Sequence, residues 1–126
     1  MSEHTEQMAV VQYLKLLERQ GKCTYFAIPN SQALSPLDPR RAAMAMSKLK
    51  AEGLRPGVPD LCIIGKGKVL FIEMKKKGGR VQENQTQFIE RLNFYGHYAT
   101  VCEGHERAIE VINEFLSCKI TDNSLN

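Results

Sequence analysis

Across residues 3–20, apolar side chains recur at Met8, Val11, Leu14 and Leu17, with Val10 beside them. Spacings of three and four residues line one face of an α-helix, and Gly21 stops it. Residues 24–28 are a short run of strand formers closed by Pro29, and residues 30–37 read as loop. Asp38-Pro39 opens a second helix, with a capping carboxylate and then proline at the first helical position. That helix reaches about residue 52 and stops at Gly53, and residues 54–59 form a Pro/Gly turn. Two strands, 60–64 and 68–75, flank a Gly-Lys-Gly turn. Residues 83–95 are helical, with Phe88, Ile89 and Leu92 on one face and Gly96 at the end. A strand over 98–102 and an amphipathic helix over 105–116 complete the pattern, and the polar tail, 117–126, is expected to be disordered. The order αβαββαβα predicts an α/β protein, a mixed sheet with helices packed on it. A single domain over residues 1–126 fits this length, with no internal repeat or linker.

The hairpin register follows from its turn. A two-residue Lys66-Gly67 loop sets Gly65 opposite Lys68, because glycine supplies the positive φ that such a turn needs. Counting outward, Ile63 faces Leu70, Leu61 faces Ile72 and Asp60 faces Glu73. One face then holds Leu61, Ile63, Leu70, Ile72 and Met74, all apolar, and the other carries Asp60, Glu73 and Lys75. A slip of one residue would mix the two sets.

Two carboxylates thus oppose each other at about 5 Å between Cβ atoms, a destabilising arrangement unless something offsets it. A hard divalent cation does so: Mg²⁺, with Mn²⁺ as substitute, takes oxygen ligands and commonly uses one or two carboxylates with substrate phosphate. Such an ion polarises a phosphoryl oxygen and supplies an activated water. Lys75 would hold the scissile phosphate or orient the attacking water while charge develops. The competing reading of the same residues is a surface salt bridge between Glu73 and Lys75.

Charge adds a partner. The net charge is +3, but residues 38–80 hold 11 Lys/Arg against four acids, a local +7, which leaves −4 for the remainder. A basic centre on an acidic protein suggests a phosphate-rich partner, with a solvated lysine-rich face as the alternative. Arg40, Arg41, Lys48, Lys50, Arg55, Lys76, Lys77 and Arg80 are the candidates for a DNA-backbone groove. No stacking module or recognition helix accompanies them, so binding should follow shape rather than sequence. Cys23, Cys62, Cys102 and Cys118 lack zinc-site spacing; the first three fall in expected strands and read as buried reduced thiols. There is no run of 18 apolar residues and the N-terminus is polar and acidic, so no membrane span and a cytoplasmic location are expected.

These residues resemble a known family. Gly57-Val58-Pro59-Asp60, a hydrophobic hairpin, then Ile72-Glu73-Met74-Lys75 is similar to the PD-(D/E)xK nuclease superfamily, and more narrowly to its VRR-NUC (virus-type replication-repair nuclease) domains of small stand-alone phage type. Ser2-Glu3-His4 with Gln7, Ile28-Pro29-Asn30, Lys50-Ala51-Glu52-Gly53 and Asn84-Gln85 extend the likeness over about residues 2–116. The resemblance implies a restriction-endonuclease-like core in which Asp60, Glu73 and the backbone carbonyl of Met74 bind the metal. Lys75 would be catalytic, and Glu3 would approach the metal or its waters, with Gln7 supporting it one turn on. Glu6 is the rival for the first-helix acid. Gln85 would sit near Lys75, pointing inward, an exposed first-turn position being the alternative. Gln7 and Asn30 join the basic residues as expected nucleic-acid contacts. Residues 30–37 depart from the glycine-basic loop of the phage forms. His97 and His105 read as surface or cap residues. The resemblance further implies a homodimeric DNA endonuclease in replication, repair or recombination, acting on four-way junctions or flaps. A non-catalytic DNA-binding or assembly subunit is the alternative.

Overall fold

The computed structural model describes residues 1–29 and 36–118. Its elements are α1 (Glu3–Arg19), β1 (Thr24–Ala27), α2 (Pro39–Ala51), β2 (Leu61–Gly65), β3 (Lys68–Lys75), α3 (Glu83–Phe94), β4 (Tyr98–Glu103) and α4 (His105–Ser117). Type and order agree with the sequence pattern, and boundaries move by a residue or so. Cys23 is a correction: it lies before β1, half-buried, while Cys62 and Cys102 are buried in strands. Asn30 and the tail beyond Cys118 lie outside the described residues.

The four strands form one sheet in the order β1-β2-β3-β4. β1, β2 and β3 are antiparallel neighbours, and β4 runs parallel to β3, so the sheet is mixed. The hairpin adopts the expected register, Gly65 with Lys68, Ile63 with Leu70 and Leu61 with Ile72, turning at Gly67 with φ 74°. Leu61, Ile63, Leu70, Ile72 and Met74 are 0–2 % exposed and pack against Val10, Leu14 and Leu17 of α1 and Ala108, Ile112 and Phe115 of α4. The hydrophobic effect thereby fixes which face looks inward, and with it the register that presents Asp60, Glu73 and Lys75 on the other side.

The helix ends carry local restraints. Ser2 accepts the Thr5 amide to cap α1, and Asp38 accepts the Arg41 amide at 2.9 Å to cap α2. Helices α2 and α3 bury no side chain completely, and Met44 of α2 is 65 % exposed. No helix among the described residues is long and apolar enough to cross a membrane.

Candidate active site

Asp60 directly precedes β2. Its backbone carbonyl accepts the Ile28 amide at 2.8 Å, which ties down the chain just beyond β1. Its carboxylate Oδ2 accepts the Met74 amide at 2.8 Å, so a side-chain oxygen serves that strand N–H beyond the last paired residues, Leu61 and Ile72. One carboxylate oxygen is thus oriented by the fold itself.

Glu73 projects from β3 on the same side and is 2 % exposed. Its Oε2 lies 3.1 Å from Gln85 Nε2 and 3.6 Å from Lys75 Nζ, and Lys75 is itself buried. The Lys75 carbonyl accepts the Gly104 amide at 2.8 Å, and Glu103, its partner across the parallel pair, accepts the Gly78 amide at 2.6 Å. The end of β3 is therefore held on both sides of Lys75. The competing reading of Glu73 and Lys75 as a surface salt bridge fails on burial: both sit where charges are costly.

Gln85 lies in the first turn of α3. Its Oε1 accepts the Gln82 amide at 2.9 Å, closing a capping box, and this leaves Nε2 aimed at Glu73. It points inward as expected, but its partner is Glu73, and it reaches Lys75 only through that carboxylate. The turn over 54–58 presses on the same helix end. A Cβ added at Gly57, where φ is 88°, would stand 2.4 Å from the Asn84 carbonyl oxygen, so only glycine permits this approach.

Of the two first-helix acids, Glu3 is the one that faces the site. Carboxylate oxygens of Glu3, Asp60 and Glu73 all lie within 4.8 Å of one another. Glu6 turns the other way, is buried, and accepts the His105 amide at 3.0 Å and contacts its Nδ1 at 2.5 Å. It caps α4 from a different helix, and the hydrogen bond from His105 holds its carboxyl below the usual range. No sequence pattern announces this pairing, because the partners are far apart in the chain and neither belongs to a local motif.

Burial pushes Glu73 up to about 8, and the neighbouring Asp60 charge adds to the rise, with Lys75 opposing it. The trio is thus an all-oxygen donor set whose mutual repulsion a hard divalent cation would relieve, and the residues fit Mg²⁺ or Mn²⁺ on that chemistry.

Two cavities meet at Asp60. One, about 150 Å³, is bounded by Arg55, Gly57, Glu73, Asn84 and Gln85; the other, about 390 Å³, runs along α1 past Glu3 and Gln7. A more apolar cavity of about 360 Å³ between β4 and α4 holds none of the three acids. Among the expected nucleic-acid contacts, Arg40, Arg41, Lys48 and Lys50 are exposed on α2, with Arg41 3.6 Å from Asp38. Arg55 lies over the Phe88 ring, 5.3 Å from its centroid. Lys76 and Lys77 are exposed beyond β3, and Lys77 lies 3.9 Å from Glu106. Lys76 and Lys77 line neither cavity at Asp60, whereas Arg55 lines the smaller.

A four-stranded mixed sheet flanked by helices, with an acidic cluster and a buried lysine beside its central hairpin, defines a nuclease-type α/β fold. The VRR-NUC domain model matches residues 4–106, and the chain belongs to that family. A solved structure described as a VRR-NUC domain protein aligns with a TM-score of 0.70 at 24% identity, over 93% of this chain and 89% of that one. No curated protein matches the chain.

Proposed function

We propose that this protein is a Mg²⁺-dependent DNA endonuclease, with Mn²⁺ as substitute, that hydrolyses phosphodiester bonds. The observation that carries the reading is the convergence of Glu3, Asp60 and Glu73 within 4.8 Å, beside the buried Lys75. Asp60, Glu73 and the Met74 carbonyl would hold the ion, with Glu3 reaching it through water. When bound, the ion supplies Lewis-acid polarisation of the phosphate and an activated water.

The protein's own groups do the positioning. The Met74 amide fixes one oxygen of Asp60, and Gln85 fixes one of Glu73, so little reorganisation is left for the reaction itself. Lys75 places an ammonium beside the trio, where it would stabilise charge developing on the phosphate in a buried site. Arg55, with the exposed cations of α2 and Lys76 and Lys77, would neutralise backbone phosphates on either side. Shape-led contacts of this kind suit branched DNA, four-way junctions or flaps, and residues 1–126 would serve as one nuclease domain. Cleavage assays on labelled linear, flap and junction DNA are expected to show cutting in Mg²⁺ or Mn²⁺ and none in EDTA. Persistence in EDTA would refute the metal-dependent mechanism, and a wild type that binds every substrate without cutting would support a non-catalytic subunit instead.

The same proposal includes a homodimer. Helix α2 is amphipathic yet buries no side chain, and Met44 and Leu49 are exposed on it, an arrangement that suits a symmetric partner. Light scattering should give twice the 14.2 kDa chain mass, and Met44→Glu should return the monomer. A monomeric wild type at micromolar concentration rules the dimer out.

A further inference from the structure

Asp60 opens onto two cavities, and the larger, about 390 Å³, meets the chemistry set out above only at Glu3 and Asp60. Its wall is the face of α1 turned away from the core. Glu6, Val10, Leu14 and Leu17 mark the buried side of that helix. His4, Met8 and Lys15 lie away from that side, Val11 stands at its edge and still packs against the core, and all four line the cavity with Gln7 and Gln12.

The chemistry of this wall changes along its length. Besides Asp60, its acid is Glu3, at the end nearest the acidic trio. Beyond that point the lining is an imidazole, two neutral amides, a thioether 51 % exposed and an isopropyl group, and it ends on the Lys15 ammonium. A cation has no second donor acid there, whereas a polyanionic strand finds complementary groups. Amides donate to phosphate oxygens, the apolar pair faces sugar, and Lys15 neutralises a phosphate. From His4 to Lys15 the helix rises roughly 16 Å, the span of about five nucleotides of a duplex strand.

We propose that this α1 groove binds the DNA strand on one side of the scissile phosphate, while the smaller cavity beside Arg55 receives the strand on the other. Continuity supports this: one residue, Asp60, lines both cavities, so a phosphate held there has a cavity on either side for its chain. The proposal rests on the nuclease reading and assigns that site its substrate path.

The test compares wild type with Gln12→Ala/Lys15→Ala on duplexes with long arms on both sides of the cut. Binding is read by fluorescence anisotropy in Ca²⁺, to hold turnover down, and cleavage in Mg²⁺. The variant should bind about tenfold more weakly, and its plot of log K against log salt should be shallower by about one. KM should rise by the same factor while kcat stays within about twofold. Removing the DNA arm from one side of the cut should erase the difference between the proteins, and removing the other arm should not. Lys15→Gln alone should give the salt effect, and an unchanged melting curve shows that each variant is folded. Equal affinity and slope in a wild type that cuts overturn the groove and leave the nuclease standing. A wild type that neither binds nor cuts overturns both.

Discussion

Lys75→Met is expected to lower the single-turnover cleavage rate about a thousandfold, the usual scale for removing a positioned group that stabilises transition-state charge. The side chain keeps its length and apolar stem, so the packing at the end of β3 survives. Only the ammonium 3.6 Å from Glu73 is lost. Because that ammonium also opposes the rise in the Glu73 pKa, metal affinity should fall as well, and the assay must be run at saturating Mg²⁺. Lys75→Arg should not restore the rate: a planar fork cannot replace a compact ammonium in a buried slot. DNA affinity should stay within a few-fold of wild type. If Lys75→Met keeps more than a tenth of the rate at saturating metal, Lys75 has no role in the chemistry.

Glu73→Gln should abolish cleavage to a similar degree while making the metal-free protein more stable at alkaline pH. Glu73 starts from a value of 4.5 and is pushed up to about 8 in the folded, metal-free state. Below 4.5 it is protonated whether folded or unfolded and carries no charge penalty. Between 4.5 and about 8 the unfolded chain gives up its proton while the folded chain keeps it, so stability falls as pH rises, and above 8 the loss is complete. Glutamine keeps an oxygen for the Gln85 amide and removes the charge. The variant's melting temperature at pH 8.5 should exceed that of the metal-free wild type by on the order of 5 °C, and the gap should close near pH 4. Mg²⁺ or Mn²⁺ should raise the melting temperature of the wild type and leave the variant unmoved. A variant that is less stable than the metal-free wild type at pH 8.5 would show that Glu73 is not a strained charge. The pair of results would be an instance of function held at the expense of stability.

The hairpin was legible in the sequence because two independent restraints agree there: glycine at the turn and an alternation with period two. Together they gave the register of Leu61 with Ile72 and put Asp60, Glu73 and Lys75 on one side. The Glu3 side of the site was legible only as a choice between two acids one helical turn apart. Tertiary packing decides between them, since Glu6 is consumed by the start of α4. Gln85 was placed on the right face, but its hydrogen bond to Glu73 was not foreseen, because its capping bond to Gln82, which fixes the direction of its amide, depends on how the chain enters α3. Helix α2 was legible from its Asp38-Pro39 start and its stop at Gly53, but those end signals cannot say what covers a face, and Met44 and Leu49 stay exposed. The basic segment foretold a surface and not its geometry: of its exposed cations beyond β3 and on α2, none lines either cavity at Asp60, whereas Arg55 does.

The acidic trio draws its members from the start of α1, the residue before β2 and the middle of β3, with Asp60 locked only once β3 supplies the Met74 amide. Asp60, Glu73 and Lys75 share one hairpin, but Glu3 joins them only when α1 packs against the sheet, so the trio is completed by a long-range contact. A growing or partly unfolded chain, with α1 not yet packed, therefore lacks the complete trio. The proposed hydrolytic capacity would then switch on with the cooperative folding transition itself, and residual activity in denaturant should follow the fraction folded.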